Sequence, residues 1–166
     1  MASPLDGLLA ELEQFGKTND AATAERPRRM LNITRDTGEF LAVLVRATGA
    51  RRVLEIGTSN GYSTLWLASA ARATGGAVTT VEASAYKVGL ASANFARAGL
   101  ASSIQLLHED AGRVLGRSAD DAFDLVFLDS ERRYRLRDPG ALRLRLSTFQ
   151  VRFPDLLADA ATEIFD

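Results

Sequence analysis

The fold of this chain is constrained most by one stretch of sequence, VLEIGTSNGYS at positions 53–63. It predicts an apolar strand, a tight turn with two glycines four positions apart, and a helix that begins at Ser63 or Thr64. Gly57 allows the chain to leave the strand with a ligand against its backbone, where a Cβ would intrude. The glycine pair alone would fit an ordinary corner between a strand and a helix, so the flanking residues carry the further argument.

Those flanking residues favour a site for a nucleotide-like cofactor. Glu55 lies inside the predicted strand, where a carboxylate is costly to bury unless it meets hydrogen-bond donors. An acid two positions before the first glycine suits a ligand with a cationic amino-acid end. Gly61 is expected to keep the loop close to the following helix, whose first free N–H groups then point into the crevice at the end of the strand.

Composition excludes several classes of protein. With 166 residues the chain is expected to form one domain, and its net charge of −1 gives no sign of a nucleic-acid or membrane partner. It has no cysteine, so it contains neither a disulfide framework nor a thiolate metal site. Because no apolar run has transmembrane length and the N-terminus lacks a signal pattern, we expect a cytoplasmic protein.

The rest of the pattern alternates between strands and helices. Strands are predicted at 52–56, 77–82, 104–107 and 123–128, and helices at 5–15, 37–48, 63–72, 85–98 and 111–115. The strands are too apolar to be half exposed, which is typical of a parallel sheet covered by helices. Right-handed crossovers place the carboxyl ends of such strands at one edge, where Glu82, Asp110 and Asp129 would gather.

Five segments occur in an order and at a spacing that are specific when taken together. They are MLNITRDTG at 30–38, LEIGTSNGYS at 54–63, VE at 81–82, EDA at 109–111 and LVFLD at 125–129. Together they resemble the class I S-adenosylmethionine-dependent methyltransferases, and among these the small-molecule O-methyltransferases related to catechol and caffeoyl-CoA O-methyltransferases. The resemblance covers roughly residues 25–131.

The resemblance implies a single methyltransferase-like domain over residues 1–166 with an α/β, Rossmann-like fold. Residues 1–50 would form a helical cap. Residues 51–130 would form the cofactor-binding core, a parallel sheet of at least four strands flanked by helices. Residues 131–166 would form a divergent tail.

The resemblance also implies how S-adenosylmethionine would be bound. The backbone around Gly57 would approach its methionine part, with Glu55 tied to the amino end. Glu82 would accept both ribose hydroxyls, and Asp110 would accept from the adenine amine. Glu82 as a solvated acid and Asp110 as a helix cap are the simpler alternatives. The expected cofactor-binding residues are Ile33, Glu55, Gly57, Thr58, Ser59, Gly61, Tyr62, Ser63, Glu82, Ala83, Asp110, Ala111 and Asp129.

Asp129 would lie beside the transferred methyl group as the catalytic residue, where relatives use this acid as a ligand of a divalent metal such as magnesium. Relatives complete that metal site with a later Asp-Asn pair, which we do not find after Asp129, and one carboxylate does not hold a hard cation. His108, the only histidine, is expected to be structural. Arg132 falls where metal-dependent relatives carry a catalytic lysine, and arginine does not act as a base.

The tail departs from the family pattern. Arg143 and Arg145 interrupt a leucine run where a buried strand should be apolar, so we predict at most one strand near 142–149 and a helix from about Pro154. The C-terminal half of the family sheet would then be incomplete. A shortened gene product, a change of reading frame near Arg132 and a divergent edge strand all remain open. The first two expose an apolar edge that favours a homo-oligomer.

The leading functional prediction is methyl transfer from S-adenosylmethionine to the hydroxyl of a small-molecule acceptor. The alternative is a non-catalytic, truncated methyltransferase-like domain that binds the cofactor or a partner chain. A nicotinamide-dependent dehydrogenase is less favoured, because residues 57–61 lack the G-x-G-x-x-G spacing that brings a pyrophosphate onto a helix end.

Overall fold

A computed structural model describes residues 4–130 in full, together with the backbone of two strands at 142–146 and 149–153. The helices are α1 (Pro4–Ala22), α2 (Arg35–Thr48), α3 (Tyr62–Ala73), α4 (Ala85–Arg97) and α5 (Ala111–Arg117). The strands are β1 (Arg52–Ile56), β2 (Ala77–Glu82), β3 (Ile104–His108), β4 (Leu125–Leu128), β5 (Leu142–Leu146) and β6 (Phe149–Phe153).

The strands form one sheet in the order β3-β2-β1-β4-β6-β5. Strands β1 to β4 are mutually parallel, whereas β6 runs antiparallel to both β4 and β5. Because the first four strands are parallel, their carboxyl ends lie at the same edge of the sheet. The predicted α/β fold with a parallel core of four strands flanked by helices is therefore confirmed.

The two central strands are buried on both faces, as their apolar sequences predict. Val53 and Phe127 face a large apolar cluster that includes residues of α1, α2, α3 and α4. Their neighbours Leu54 and Val126 face a second cluster with residues of α5. Since successive side chains of a strand point to opposite faces, one continuous apolar run supplies both layers of the core.

The tail contains more sheet than the sequence predicts. The alternation in Leu142–Leu146 predicts one strand, and the structure has a second, Phe149–Phe153, which lies between β4 and β5. The prediction of at most one strand was therefore wrong. The sequence FQVRF repeats the same alternation of apolar and polar residues, which suits the partner of an antiparallel hairpin. The helix predicted from Pro154 lies outside the described residues.

The first glycine of the turn brings two strand ends into close contact. Gly57 has a φ of +102°, and a Cβ at this position would lie 2.2 Å from the carbonyl oxygen of Asp129. Gly61 has a φ of +88°, and its Cβ would lie 2.5 Å from the Cε1 atom of Phe95 on α4. Both glycines therefore allow the chain to pack against itself, in addition to leaving room for a ligand.

Replacing Gly57 by alanine should lower the free energy of unfolding by about 1–3 kcal/mol, because the new Cβ meets backbone in a left-handed conformation. Gly89→Ala is the matched control, since Gly89 is an exposed residue of α4 with no atom within 4 Å of its Cβ position. The control should be neutral or stabilise by up to about 1 kcal/mol. Urea denaturation of both variants measures the difference, and equal stabilities would contradict this reading of Gly57.

Candidate functional site

The carboxyl edge of the sheet brings together most of the residues that the sequence singles out. Loop 57–61 follows β1, and the Gly57 N–H donates to the carbonyl of Val81 at 3.0 Å. Asp129 follows β4, and its N–H donates to the carbonyl of Ile56 at 2.9 Å. The predicted loop and the predicted acids therefore share one crevice-forming edge, which is the position at which α/β sheets bind ligands.

Glu82, the last residue of β2, is held in one orientation by the backbone. Its Oε2 atom accepts from the Ser59 N–H at 2.9 Å, and its Oε1 atom accepts from the Ser84 N–H at 2.9 Å. A carboxylate has about four lone-pair positions, so each oxygen retains capacity for a further donor. Two fixed acceptors side by side suit a pair of neighbouring hydroxyl groups.

Ser59 connects this acid to the segment that precedes α2. Its Oγ donates to the carbonyl of Met30 at 2.7 Å, and its own φ is +52°, unusual for a residue with a Cβ. The N–H groups of Met30 and Leu31 donate to the carboxylate of Asp20 at 2.6 and 2.8 Å. Helix α1 therefore fixes this segment against the loop, although the side chain of Ile33 packs against the main apolar cluster.

Glu55, in the middle of the sheet, is fully buried and surrounded by hydroxyl groups. Its Oε1 atom accepts from Ser63 Oγ at 2.6 Å, and its Oε2 atom accepts from Thr80 Oγ1 at 2.6 Å and from Thr64 Oγ1. Burial raises the pKa of Glu55 to about 7, against the three hydrogen bonds that lower it. The sequence predicted that this acid needs donors, and the chain itself supplies them.

Asp129, which follows β4 at the edge of the sheet, is a second acid that is partly buried. Burial raises its pKa to about 6, while the nearby positive charge of Lys87 on α4 acts in the opposite direction. Within residues 4–130 no group of three or more acidic or histidine side chains converges as metal ligands. The described residues therefore do not form a magnesium site, and the metal role of Asp129 stays a prediction.

Other predicted residues have structural partners. The ring of Tyr62 is 1% exposed and packs edge-on against Trp66 at 6.5 Å between ring centres, so its side chain belongs to the helical core. Asp110 caps α5 by accepting from the Arg113 N–H at 3.2 Å. His108 places Nε2 at 3.2 Å from the carbonyl of Ala83, which fits the structural role expected of it. Arg132 lies outside the described residues.

Sequence reasoning singled out Thr58 and Ser63 but missed the other two hydroxyl groups of this network, those of Thr64 and Thr80. Thr80 lies directly beside Glu55 in the register of β1 and β2, and Thr58 Oγ1 is 2.6 Å from Thr80 Oγ1. Lys87, whose positive charge acts on the pKa of Asp129, was also not singled out. The sequence feature that could have indicated Thr80 is its position within a buried strand, β2. A buried hydroxyl group needs a hydrogen-bond partner, and Glu55 on the neighbouring strand offers one.

The fold and this edge place the chain among α/β proteins with a Rossmann-like sheet. A family model described as O-methyltransferase matches residues 8–137. The chain therefore belongs to the O-methyltransferase family.

Individual relatives agree with this assignment. The catechol O-methyltransferase of Mycobacterium tuberculosis is 40% identical over 109 residues, which is 66% of this chain and 48% of that protein. The O-methyltransferase TomG of Streptomyces achromogenes, solved in complex with SAM (S-adenosylmethionine), superposes with a TM-score of 0.59 and 29% identity, covering 78% of this chain and 54% of that one.

A Bacillus cereus O-methyltransferase, solved in complex with SAH (S-adenosylhomocysteine), shares the fold with a TM-score of 0.63. The two sequences are 22% identical, and the match covers 90% of this chain and 91% of that one. The chain spans 48–64% of the length of the first curated relatives that it matches. In the part of the chain that the structure describes, every helix is too short or too polar to cross a membrane.

Replacing Glu55 by glutamine should change how stability depends on pH. The pKa of Glu55 is about 7 in the folded chain and 4.5 for an unperturbed glutamate, so the folded state holds its proton longer as the pH rises. Between about pH 4.5 and pH 8, wild type should lose roughly 3 kcal/mol of unfolding free energy relative to Glu55→Gln.

Urea denaturation at several pH values measures this difference, with Glu39→Gln as an exposed control that should follow wild type. If the profiles of wild type and Glu55→Gln run parallel, Glu55 does not titrate as its burial requires.

Proposed function

We propose that the chain binds S-adenosylmethionine at the carboxyl edge of β1 and β2 and transfers its methyl group to a hydroxyl oxygen of a small molecule. The observation that carries this proposal is Glu82, which the N–H groups of Ser59 and Ser84 hold with an open acceptor position on each oxygen. The relatives that share this family support the same reaction class.

The described residues fit the cofactor at its three parts. Glu82 would accept from the two ribose hydroxyls, because its carboxylate is already oriented and partly exposed. The amino-acid end would lie along loop 57–61 and the first turn of α3. The adenine would lie beside Asp110 and Ala111, next to the carboxyl end of β3, with the exposed Ala83 at the other side of Glu82.

When bound, the cofactor supplies an activated methyl group, so the protein chiefly has to align an acceptor oxygen with it. Asp129 is the described residue that we assign to this task. With a pKa of about 6 its carboxylate is largely ionised at neutral pH, so it accepts a hydrogen bond from the acceptor hydroxyl. Lys87 keeps that ionised form accessible in spite of burial.

Calorimetric titration should show binding of S-adenosylmethionine and S-adenosylhomocysteine in preference to NAD. Glu82→Gln should weaken the binding of S-adenosylhomocysteine by about 1–3 kcal/mol. The reason is that a side-chain amide has only one oxygen acceptor to offer the two ribose hydroxyls. Glu109→Gln is the matched control, since Glu109 directly follows the neighbouring strand β3 but pairs with Arg117. Tighter binding of NAD, or equal losses in the two variants, would refute this assignment.

Methyl transfer to catechol, followed by mass spectrometry, tests the reaction itself. We expect turnover that changes little when magnesium is replaced by a chelator, because a hard cation needs several oxygen ligands and no group of three or more acidic side chains converges within residues 4–130. Asp129→Asn should lower kcat by roughly a hundredfold, the lower end of the range for loss of a side chain that takes part in proton transfer.

A saturable requirement for magnesium would show that this expectation is wrong. Binding of the cofactor without transfer to any hydroxyl acceptor would favour the alternative of a non-catalytic cofactor-binding domain.

A further inference from the structure

Two residues that carry a side chain have a left-handed backbone within the part of the chain that the structure describes. Leu31 has a φ of +53° and Ser59 has a φ of +52°. This conformation is costly for a residue with a Cβ, so it persists only where neighbouring groups hold it. Because such residues cluster at functional sites, the contacts that hold these two are informative.

Both residues present their backbone N–H to a carboxylate. The Leu31 N–H donates to Asp20 Oδ2 at 2.8 Å, and the Ser59 N–H donates to Glu82 Oε2 at 2.9 Å. The Met30 N–H adds a second contact, to Asp20 Oδ1 at 2.6 Å. Asp20 therefore does for the segment before α2 what Glu82 does for the glycine loop.

One peptide group connects the two carboxylates. The N–H of the peptide between Met30 and Leu31 donates to Asp20, and its carbonyl accepts from Ser59 Oγ at 2.7 Å. A trans peptide is planar, with its N–H and its carbonyl pointing in opposite directions. Asp20 therefore fixes the direction of the carbonyl that holds the Ser59 side chain, and Ser59 in turn holds Glu82.

The position of Asp20 is set by the body of the protein. It lies in the last turns of α1, whose residues Leu9 and Leu12 are buried in the main apolar cluster. Glu11 of the same helix accepts from the two guanidinium nitrogens of Arg97 on α4, at 2.9 and 2.6 Å. Helix α1 is thus a fixed support from which Asp20 reaches the segment before α2.

We propose that Asp20 is a positioning residue for cofactor binding, which orients the Glu82 carboxylate through the peptide between Met30 and Leu31 and through Ser59. This inference rests on the proposed function, in which Glu82 accepts from the ribose hydroxyls. The role needs a carboxylate, because the two N–H donors approach different oxygens and a side-chain amide has only one oxygen to accept them.

Calorimetric titration with S-adenosylhomocysteine tests this relay. Asp20→Asn removes one of the two acceptors, and Ser59→Ala removes the hydroxyl that meets the peptide. Each should weaken binding by about fivefold, the scale of one net hydrogen bond. Asp120→Asn is the matched control, since Asp120 is an exposed acid between α5 and β4, and it should leave the affinity unchanged.

Glu82→Gln separates positioning from a general loss of structure. Once Glu82 has been replaced, Asp20→Asn should cost less than about a further twofold, because both changes act at the same contact. A merely structural role would add its full loss in either background. In a methyl-transfer assay, Asp20→Asn should raise KM for S-adenosylmethionine about fivefold and leave kcat within about twofold, because the ribose contact serves ground state and transition state alike.

The role of Asp20 is overturned by unchanged affinity in Asp20→Asn, by additive losses in the double variant, by a lowered kcat at constant KM, or by a Ser59→Ala variant that binds like wild type. Should Asp20→Asn fail to fold, Ser59→Ala with Glu82→Gln provides the same comparison and leaves α1 intact. If wild type binds S-adenosylhomocysteine and only these differences are missing, the proposed function stands without this inference. If wild type does not bind it, both are overturned.

Discussion

The carboxylate of Glu55 is withdrawn completely from water at the centre of the sheet, and the arrangement of the site depends on how it is satisfied. Its donors come from two other elements, Ser63 and Thr64 from α3 and Thr80 from β2. An unpaired buried charge would cost several kcal/mol, so these contacts hold β1, β2 and the start of α3 in one geometry. The loop between β1 and α3 is thereby fixed at both ends before any ligand arrives.

The raised pKa of Glu55 indicates that three hydrogen bonds do not fully offset its burial. The ionised form is therefore the costly one in the free protein, and a cation placed near Ser63 would favour it. A site of this kind is prepared for a positively charged ligand, because binding relieves a cost that folding has already incurred. Asp129, whose pKa burial also raises, adds a second acid of the same character at the edge of the sheet.

Much of the fold could be predicted from the sequence because its signals are local. The bounds of β1 and β2 agree with their apolar runs, and α2 ends at Thr48 as predicted, with Gly49 behind it in a left-handed conformation. The contacts of Glu55 could not be predicted, because Thr80 becomes its neighbour only through the register of two strands. The close contact of Gly57 with Asp129 likewise depends on sheet packing, and the short run of β6 was too weak a signal by itself.

A crystal structure of the protein with S-adenosylhomocysteine tests the central claim most directly. The account predicts both ribose hydroxyls on the carboxylate of Glu82 and the amino-acid end of the ligand along loop 57–61 and the first turn of α3. Glu55 should keep its three hydroxyl donors. A ligand whose amino-acid end lies away from this loop, or whose ribose lies away from Glu82, would contradict it.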